Sequence, residues 1–183
     1  MALLFVDLGI ISVQNLMVSI QQKIIWRMLI SGKTAVLLHD HELRTGNYAC
    51  AFMITGNITR MAQALQLNLE YSTDLFHDEP NNGPTVCSKE ARRRLMWSCY
   101  ISDTLIGSGV SMLTLLDEND IKVQLPCNER NFVLQVPCVT EMLPQGQFLP
   151  FVAPEHIPPR VIDNIGIVAL YVRLISLRKR VLK

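Results

Sequence analysis

Four clusters in this 183-residue chain hold residue types capable of chemistry. His39, Asp40, His41 and Glu42 place four metal-ligand or acid–base side chains in a row. Successive helix positions diverge by about 100°, so the four would converge on one ion only in an extended loop. That use would make the chain an all-α small-molecule-binding or metal-dependent enzymatic domain; the plainer reading is a polar helix start. Ser31-Gly32-Lys33-Thr34 matches the tail of a phosphate-binding loop, but the loop needs a glycine where Arg27 stands. An ordinary turn between helices accounts for it better. No serine–histidine–acid set or paired-carboxylate arrangement stands out.

The cysteines Cys50, Cys87, Cys99, Cys127 and Cys138 contain no C-x-x-C pair. An odd count of spread thiols fits a reduced compartment rather than a disulfide framework or a zinc site. Cys99, inside an apolar stretch, reads as a small core residue. The basic tail RLISLRKRVLK could serve as a nuclear-import or nucleic-acid patch. Cations in the last turns of a helix also suit its dipole, and an outward-facing surface is the expectation.

The remaining cluster is Arg92-Arg93-Arg94, running straight into LMWSCYISD. Three consecutive helix positions fan out around the axis and cannot form one surface for a polyanion. Positive charge in the first turns also opposes the helix dipole. Asp103 lies near the far end of the same apolar helix, where a buried carboxylate needs partners. The expectation is that at least one arginine and Asp103 each pin this helix to neighbouring helices by charge-assisted hydrogen bonds, with Arg60 as the candidate partner of Asp103.

The elements that must position these residues are helical. Apolar residues form 49% and charged residues 18% of the chain, with net charge +1, enough for one sizeable core and too balanced to imply nucleic acid. The greasy start through Lys23 lacks a basic n-region and carries Asp7, Gln14 and Asn15, so it reads as a helix rather than a signal or a membrane span. Helical spacing predicts a first region to Leu38 interrupted at Gly9 and Ser31-Gly32. A second helix over Tyr48–Asn68 presents Ile54, Ile58, Met61 and Leu65. A third opens at Ser88 as N-cap, with Glu90 in its first turn, buries most of its circumference and stops at Gly107 and Gly109. A final helix from Val161 has Ile162, Ile165, Ala169, Val172 and Ile175 as its apolar face and ends uncapped at Lys183, as a fragment would. The fold class is all-α, an irregular multi-helix array.

EARRRLMWSCYISDTLIGSGVSMLTLLDENDIKVQLP resembles the fungal-specific transcription factor domain. This is the regulatory middle homology region of binuclear zinc-cluster regulators, of the xylanolytic activator type. The resemblance rests on Arg93, Arg94, Trp97 and Asp103, and on the acidic turn Asp117, Asp120 and Ile121 running to Pro126. Upstream, AFMITGNITRMAQALQLNLE resembles the preceding family helix, with Arg60, Met61 and Ala62 at its centre. The similarity is clearest over 48–128. Residues 20–36 form an atypical insertion or a misjoined gene model, 127–160 a proline-rich meander, and 161–183 an incomplete last helix.

The resemblance implies part of a helical regulatory domain, not an enzyme. Such a domain acts in the nucleus, through other domains of the same regulator, transcriptional co-regulators or a small effector. Arg60, Arg93, Arg94, Trp97, Asp103, Asp120 and Pro126 would be architectural. The six-cysteine cluster that gives the family its DNA binding has no counterpart here. DNA contact and zinc therefore belong to a module absent from this chain, which itself would need no cofactor and no membrane.

Overall fold

The computed structural model describes residues 27–70, 85–107 and 113–182; the amino-terminal reading through residue 26 and the stop at Gly109 lie outside them. Residues 27–44 form α1. The Ser31–Thr34 stretch lies inside this helix, so the expected turn is not there. Gly32 serves packing instead: a Cβ at this position would lie 3.2 Å from Leu95 Cδ2, so the Leu95 side chain rests against the bare glycine backbone. Leu29 enters the core, with Met28, Ala35 and Val36 packed against it. The helix continues through His39–Glu42 to residue 44, which places that cluster in its last turns rather than at a start.

A turn at Gly46, which takes the left-handed φ of 81°, leads into α2, Tyr48–Ala64. The inward face of α2 is Ala51, Thr55, Ile58, Thr59 and Ala62, a stripe of mostly small side chains that permits close approach to α3. Ile54 packs at its margin. The helix ends earlier than its apolar spacing predicts because Gln66 turns left-handed, with φ 50°, and Leu67 N–H returns to the Ala62 carbonyl at 3.0 Å.

Helix α3, Val86–Ile106, is the central element. Its N-cap is Thr85, whose hydroxyl accepts from Ser88 N–H at 3.2 Å; the predicted cap Ser88 is therefore the recipient of the capping bond. Trp97, Tyr100 and Met96 are fully buried along its length, and α2, the short α4 (Glu129–Val133) and the last helix, α5 (Ile167–Val181), pack against it. After Gly107 the chain returns along α3 through a 3-10 turn at Glu118–Asp120 and an extended stretch in which Ile121, Val123 and Leu125 are buried. Among the described residues the β content is two isolated bridges, Leu69 with Lys122 and Cys127 with Ile165. The class is all-α.

The proline-rich stretch after Cys127 covers this core as irregular chain with α4 and a 3-10 turn at Pro154–His156. The last helix, α5, is Ile167–Val181 and starts later than the spacing suggests. Val161–Asn164 is a 3-10 turn and Ile162 faces outward, whereas Ala169, Val172 and Ile175 form the buried face. The cause is tertiary. Asn128 N–H binds the Asn164 carbonyl at 2.8 Å, and Gly166 lies so close that a Cβ would meet Asn128 Cα at 2.8 Å and the Cys127 carbonyl at 3.0 Å. No described helix is long and apolar enough to cross a membrane.

Two glycines make this packing testable. Gly166→Ala should destabilise the fold by about 1–3 kcal/mol, because backbone must move to admit the methyl group. Gly56→Ala, in mid-α2 with open space around it, should stabilise by about 0.5–1 kcal/mol. Urea unfolding of the two variants checks both signs.

Candidate functional site

The three arginines leave α3 in three directions and each reaches a different segment. Arg92 Nη2 donates to the Leu65 carbonyl at 3.0 Å, at the carboxyl end of α2. Arg93 clamps Glu70: Nε lies 3.0 and 3.2 Å from its two oxygens, and Nη2 is 2.8 Å from Oε1. Arg94 Nη2 donates to the Cys127 carbonyl at 2.9 Å, and its guanidinium stacks over the Phe132 ring of α4 at 4.4 Å. Their divergence is the consequence of 100° steps around the helix.

Glu90 joins two of these guanidiniums from within the same helix. It is 2% exposed. Its Oε2 accepts from Arg93 Nη1 at 3.3 Å; Oε1 accepts from Arg94 Nε at 2.9 Å and from the Cys127 amide at 3.0 Å. Glu90 therefore faces inward in the second turn and is not the first-turn dipole partner that its sequence position suggests. Two guanidiniums thus meet two buried carboxylates, so the buried charges balance, and the exposed Glu129 lies 3.7 Å from Arg94 at the rim. Burial alone would lower the Arg93 pKa, but Glu70 and Glu90 outweigh it and raise the value.

A second polar cluster sits near the other end of α3. Asp103 is fully buried and accepts from Leu115 N–H at 3.0 and 2.9 Å and from Leu116 N–H at 2.9 Å. Burial raises its pKa above the ordinary aspartate value, and the two amides and the charge of Lys179 partly oppose this. The predicted partner Arg60 is elsewhere, exposed on α2 and bonded to Gln63 Oε1 at 3.0 Å. Asp103 thus holds the chain after α3 through neutral amides rather than holding a neighbouring helix through a cation. Tyr100 donates to Glu118 Oε1 at 2.6 Å, and Ser176 on α5 donates to Glu118 Oε2 at 3.1 Å. Lys179 Nζ bonds the Leu116 carbonyl at 3.3 Å and lies 5.7 Å from the Tyr100 ring centre.

Between the two clusters, Trp97 Nε1 donates to the Gln124 carbonyl at 3.0 Å and meets Tyr100 edge to face, centroids 5.7 Å apart. Gln124, fully buried, binds the meander: its Nε2 donates to the Cys138 carbonyl at 3.2 Å and its Oε1 accepts from Thr140 N–H at 3.3 Å. Pro126 is buried in the same stretch. Asp120 is exposed and contributes its backbone carbonyl to Asn68 Nδ2 at 3.0 Å. Asp117 caps the turn, its Oδ1 accepting from Asn119 N–H at 2.9 Å; the acid that links the turn to α3 and α5 is Glu118, which sequence reading passed over along with Glu70, Gln124 and Lys179. The basic tail is only partly outward, since Lys179 is buried and Arg173 pairs with Glu141.

The remaining candidates are spread apart. Asp40 pairs with Arg44 at 2.7 Å, Glu42 accepts from Asn47 Nδ2 at 2.7 Å, and His39 is buried, which lowers its pKa. Among the described residues no group of three or more His, Cys, Asp or Glu could hold a metal ion. Burial pushes the Cys99 thiol up to about 12, which suits an inert core residue. A cavity of about 390 Å³ opens where α2 ends, lined by Ala62, Gln63, Asn68, Met96, Asp117 and Lys122 among others.

The family model described as "Fungal specific transcription factor domain" matches residues 27–161. That match begins inside the stretch 20–36 that looks atypical in sequence. An uncharacterised transcriptional regulatory protein of Schizosaccharomyces pombe is 38% identical over 81% of this chain and 15% of its own length. The Zn(2)-C6 fungal-type transcription factor FTF1c of Fusarium oxysporum is 30% identical over 85% of this chain and 17% of its own. The chain thus spans about one sixth of the length of these relatives. No solved structure matches it.

Glu90→Gln should cost about 3–5 kcal/mol, because it leaves two guanidiniums in the interior with one carboxylate fewer. Asp103→Asn should cost about 1–3 kcal/mol, since an amide NH₂ then faces backbone N–H groups. The raised Asp103 pKa sets a sign. The native state holds this proton more tightly than the unfolded chain, so its contribution is full below the ordinary value of 3.8 and declines as pH rises through the raised one. The stability difference between wild type and Asp103→Asn, followed by urea unfolding from about pH 3.5 upward, should therefore shrink over that window.

Proposed function

The chain belongs to the fungal specific transcription factor domain family, and from that premise we propose that it is the helical regulatory part of a zinc-cluster regulator. It modulates transcription in the nucleus through contacts with other domains of the same regulator or with co-regulators. DNA contact falls to a separate module, where the zinc would also reside, and this chain performs no catalysis of its own.

The observation that carries this reading is the outer face of α5. Ile167, Leu170, Leu174, Leu177 and Val181 are all exposed, and their alternating spacing of three and four is that of a helix-packing seam. Single exposed apolar residues are ordinary; a contiguous stripe along a whole helix marks a contact surface. The arginine run supports the same reading from the other side, since its guanidiniums are engaged with Leu65, Glu70, Glu90 and Cys127 and unavailable to phosphates. Helix α5 contains no acidic residue, so the seam suits a partner helix that brings carboxylates to Arg178 and Arg180. A small effector is a second reading, favoured by the cavity at the end of α2, whose volume falls within the range of ligand sites. A shift in melting temperature on adding a metabolite, lost on filling that cavity, tests it.

The chain fused to a heterologous DNA-binding module should alter expression from a reporter bearing that module's site. Leu170→Asp with Leu174→Asp should abolish the effect while the melting curve changes little, both positions being exposed. A double variant that regulates like wild type would remove the seam from the account. Salt-sensitive, sequence-specific binding of the unfused chain to duplex DNA would overturn the division of labour.

A further inference from the structure

Cys127 and Cys138 are eleven positions apart, yet both line one small cavity beside the arginine cluster, with Glu90, Arg93, Asn131 and Phe132. Backbone anchors bring them there. The Cys127 amide is held by Glu90 and its carbonyl by Arg94; the Cys138 carbonyl is held by Gln124. The two cysteines face each other across this cavity, with the Asn131 side chain beside them. Cys127 is buried, whereas Cys138 is partly open to solvent.

The two sulfurs have unlike surroundings. The neighbouring Cys127, the Asn131 side chain and the charge of Arg93 favour a thiolate at Cys138 over the opposing effects of burial and Glu90. At Cys127 the neighbouring Cys138, burial and Glu90 all favour the protonated form. An accessible thiolate beside a protonated resolving thiol is the arrangement that redox-active pairs require.

We propose that Cys127 and Cys138 form a thiol pair that hydroperoxides oxidise to a disulfide, with Cys138 as the attacking sulfur and Cys127 as the resolving one. The Cys138 thiolate attacks the terminal oxygen of the hydroperoxide. An S–O bond forms, the O–O bond breaks, and the departing alkoxide or hydroxide takes a proton to leave as alcohol or water. Cys127 sulfur then attacks the sulfenic sulfur; the S–S bond forms, the S–O bond breaks, and hydroxide leaves as water with the Cys127 proton. The two thiols together lose two electrons and the peroxide gains them. The disulfide closes the α4 loop covalently against Glu90 and Arg94, and thiol reductants reopen it.

The test uses the intact chain and hydrogen peroxide at about one equivalent, read by non-reducing peptide mapping. The expected product is a linked Cys127–Cys138 peptide about 2 Da lighter than the sum of its parts, reversed by dithiothreitol. Cys127→Ser should trap a dimedone-reactive sulfenic acid at Cys138, and Cys138→Ser should slow peroxide consumption roughly tenfold. Oxidation of Cys50 or Cys87 ahead of Cys138, or the lack of a linked peptide in the wild-type map, would overturn the proposal. The wild-type map decides even where a serine variant fails to fold.

Discussion

A buried carboxylate with two guanidiniums on it is the constraint around which this fold is arranged. Glu90 cannot be left ionised in the interior without compensation. It is placed on α3 so that residues three and four positions later supply that compensation from the same face. The guanidiniums, once committed there, spend their remaining donors on distant chain: Glu70 after α2 and the Cys127 carbonyl before α4. A local helical pair thus becomes a long-range tie. The Cys127 amide, bonded to Glu90 itself, closes it.

The opposite half of α3 solves the same problem with different chemistry. Asp103 is met chiefly by the amides of Leu115 and Leu116, and Lys179 of α5 adds a charge nearby, which together only partly offset its burial. Tyr100, Glu118 and Ser176 then link α3, the acidic turn and α5. With Trp97 fastened to Gln124 between the clusters, α3 is tied along its length to chain that has little regular structure of its own. This shows how a meander rich in proline can cover a core: its backbone groups are answered by Glu90 and Arg94 of α3 at Cys127 and by Gln124 and Asn164 beyond it, rather than by a sheet ladder. It also leaves the outer face of α5 uncommitted, which is where the regulatory reading places contact with other parts of the regulator.

The helices and the central place of α3 were legible because burial leaves a period in the sequence. The divergence of Arg92, Arg93 and Arg94 was legible too, since it follows from helical geometry alone. Their partners were not. Pairing charge with charge led from Asp103 to Arg60, whereas the fold meets that carboxylate with backbone amides, which no side-chain pattern announces. Asp117, Glu118 and Asp120 are interchangeable acids in a string; only the arrival of Tyr100 and Ser176 selects Glu118. Ile162 and Ile165 share the spacing of the last helix, yet the close approach of Gly166 to Asn128 starts that helix later. The turn expected at Ser31–Thr34 failed for a similar reason, because Gly32 there makes room for Leu95. Resemblance supplied the family, and tertiary contact supplied the roles.

The most direct measurement is native-state hydrogen exchange at the Cys127 amide. This N–H lies in irregular chain and would exchange quickly on its secondary structure alone. Bonded to Glu90 in the interior, it should exchange only through global unfolding, with the same opening free energy as the Trp97 and Tyr100 amides of α3. Exchange at the rate of an exposed turn amide such as Gln135 would show that Glu90 does not hold this strand of the fold, and the account would fail at its centre.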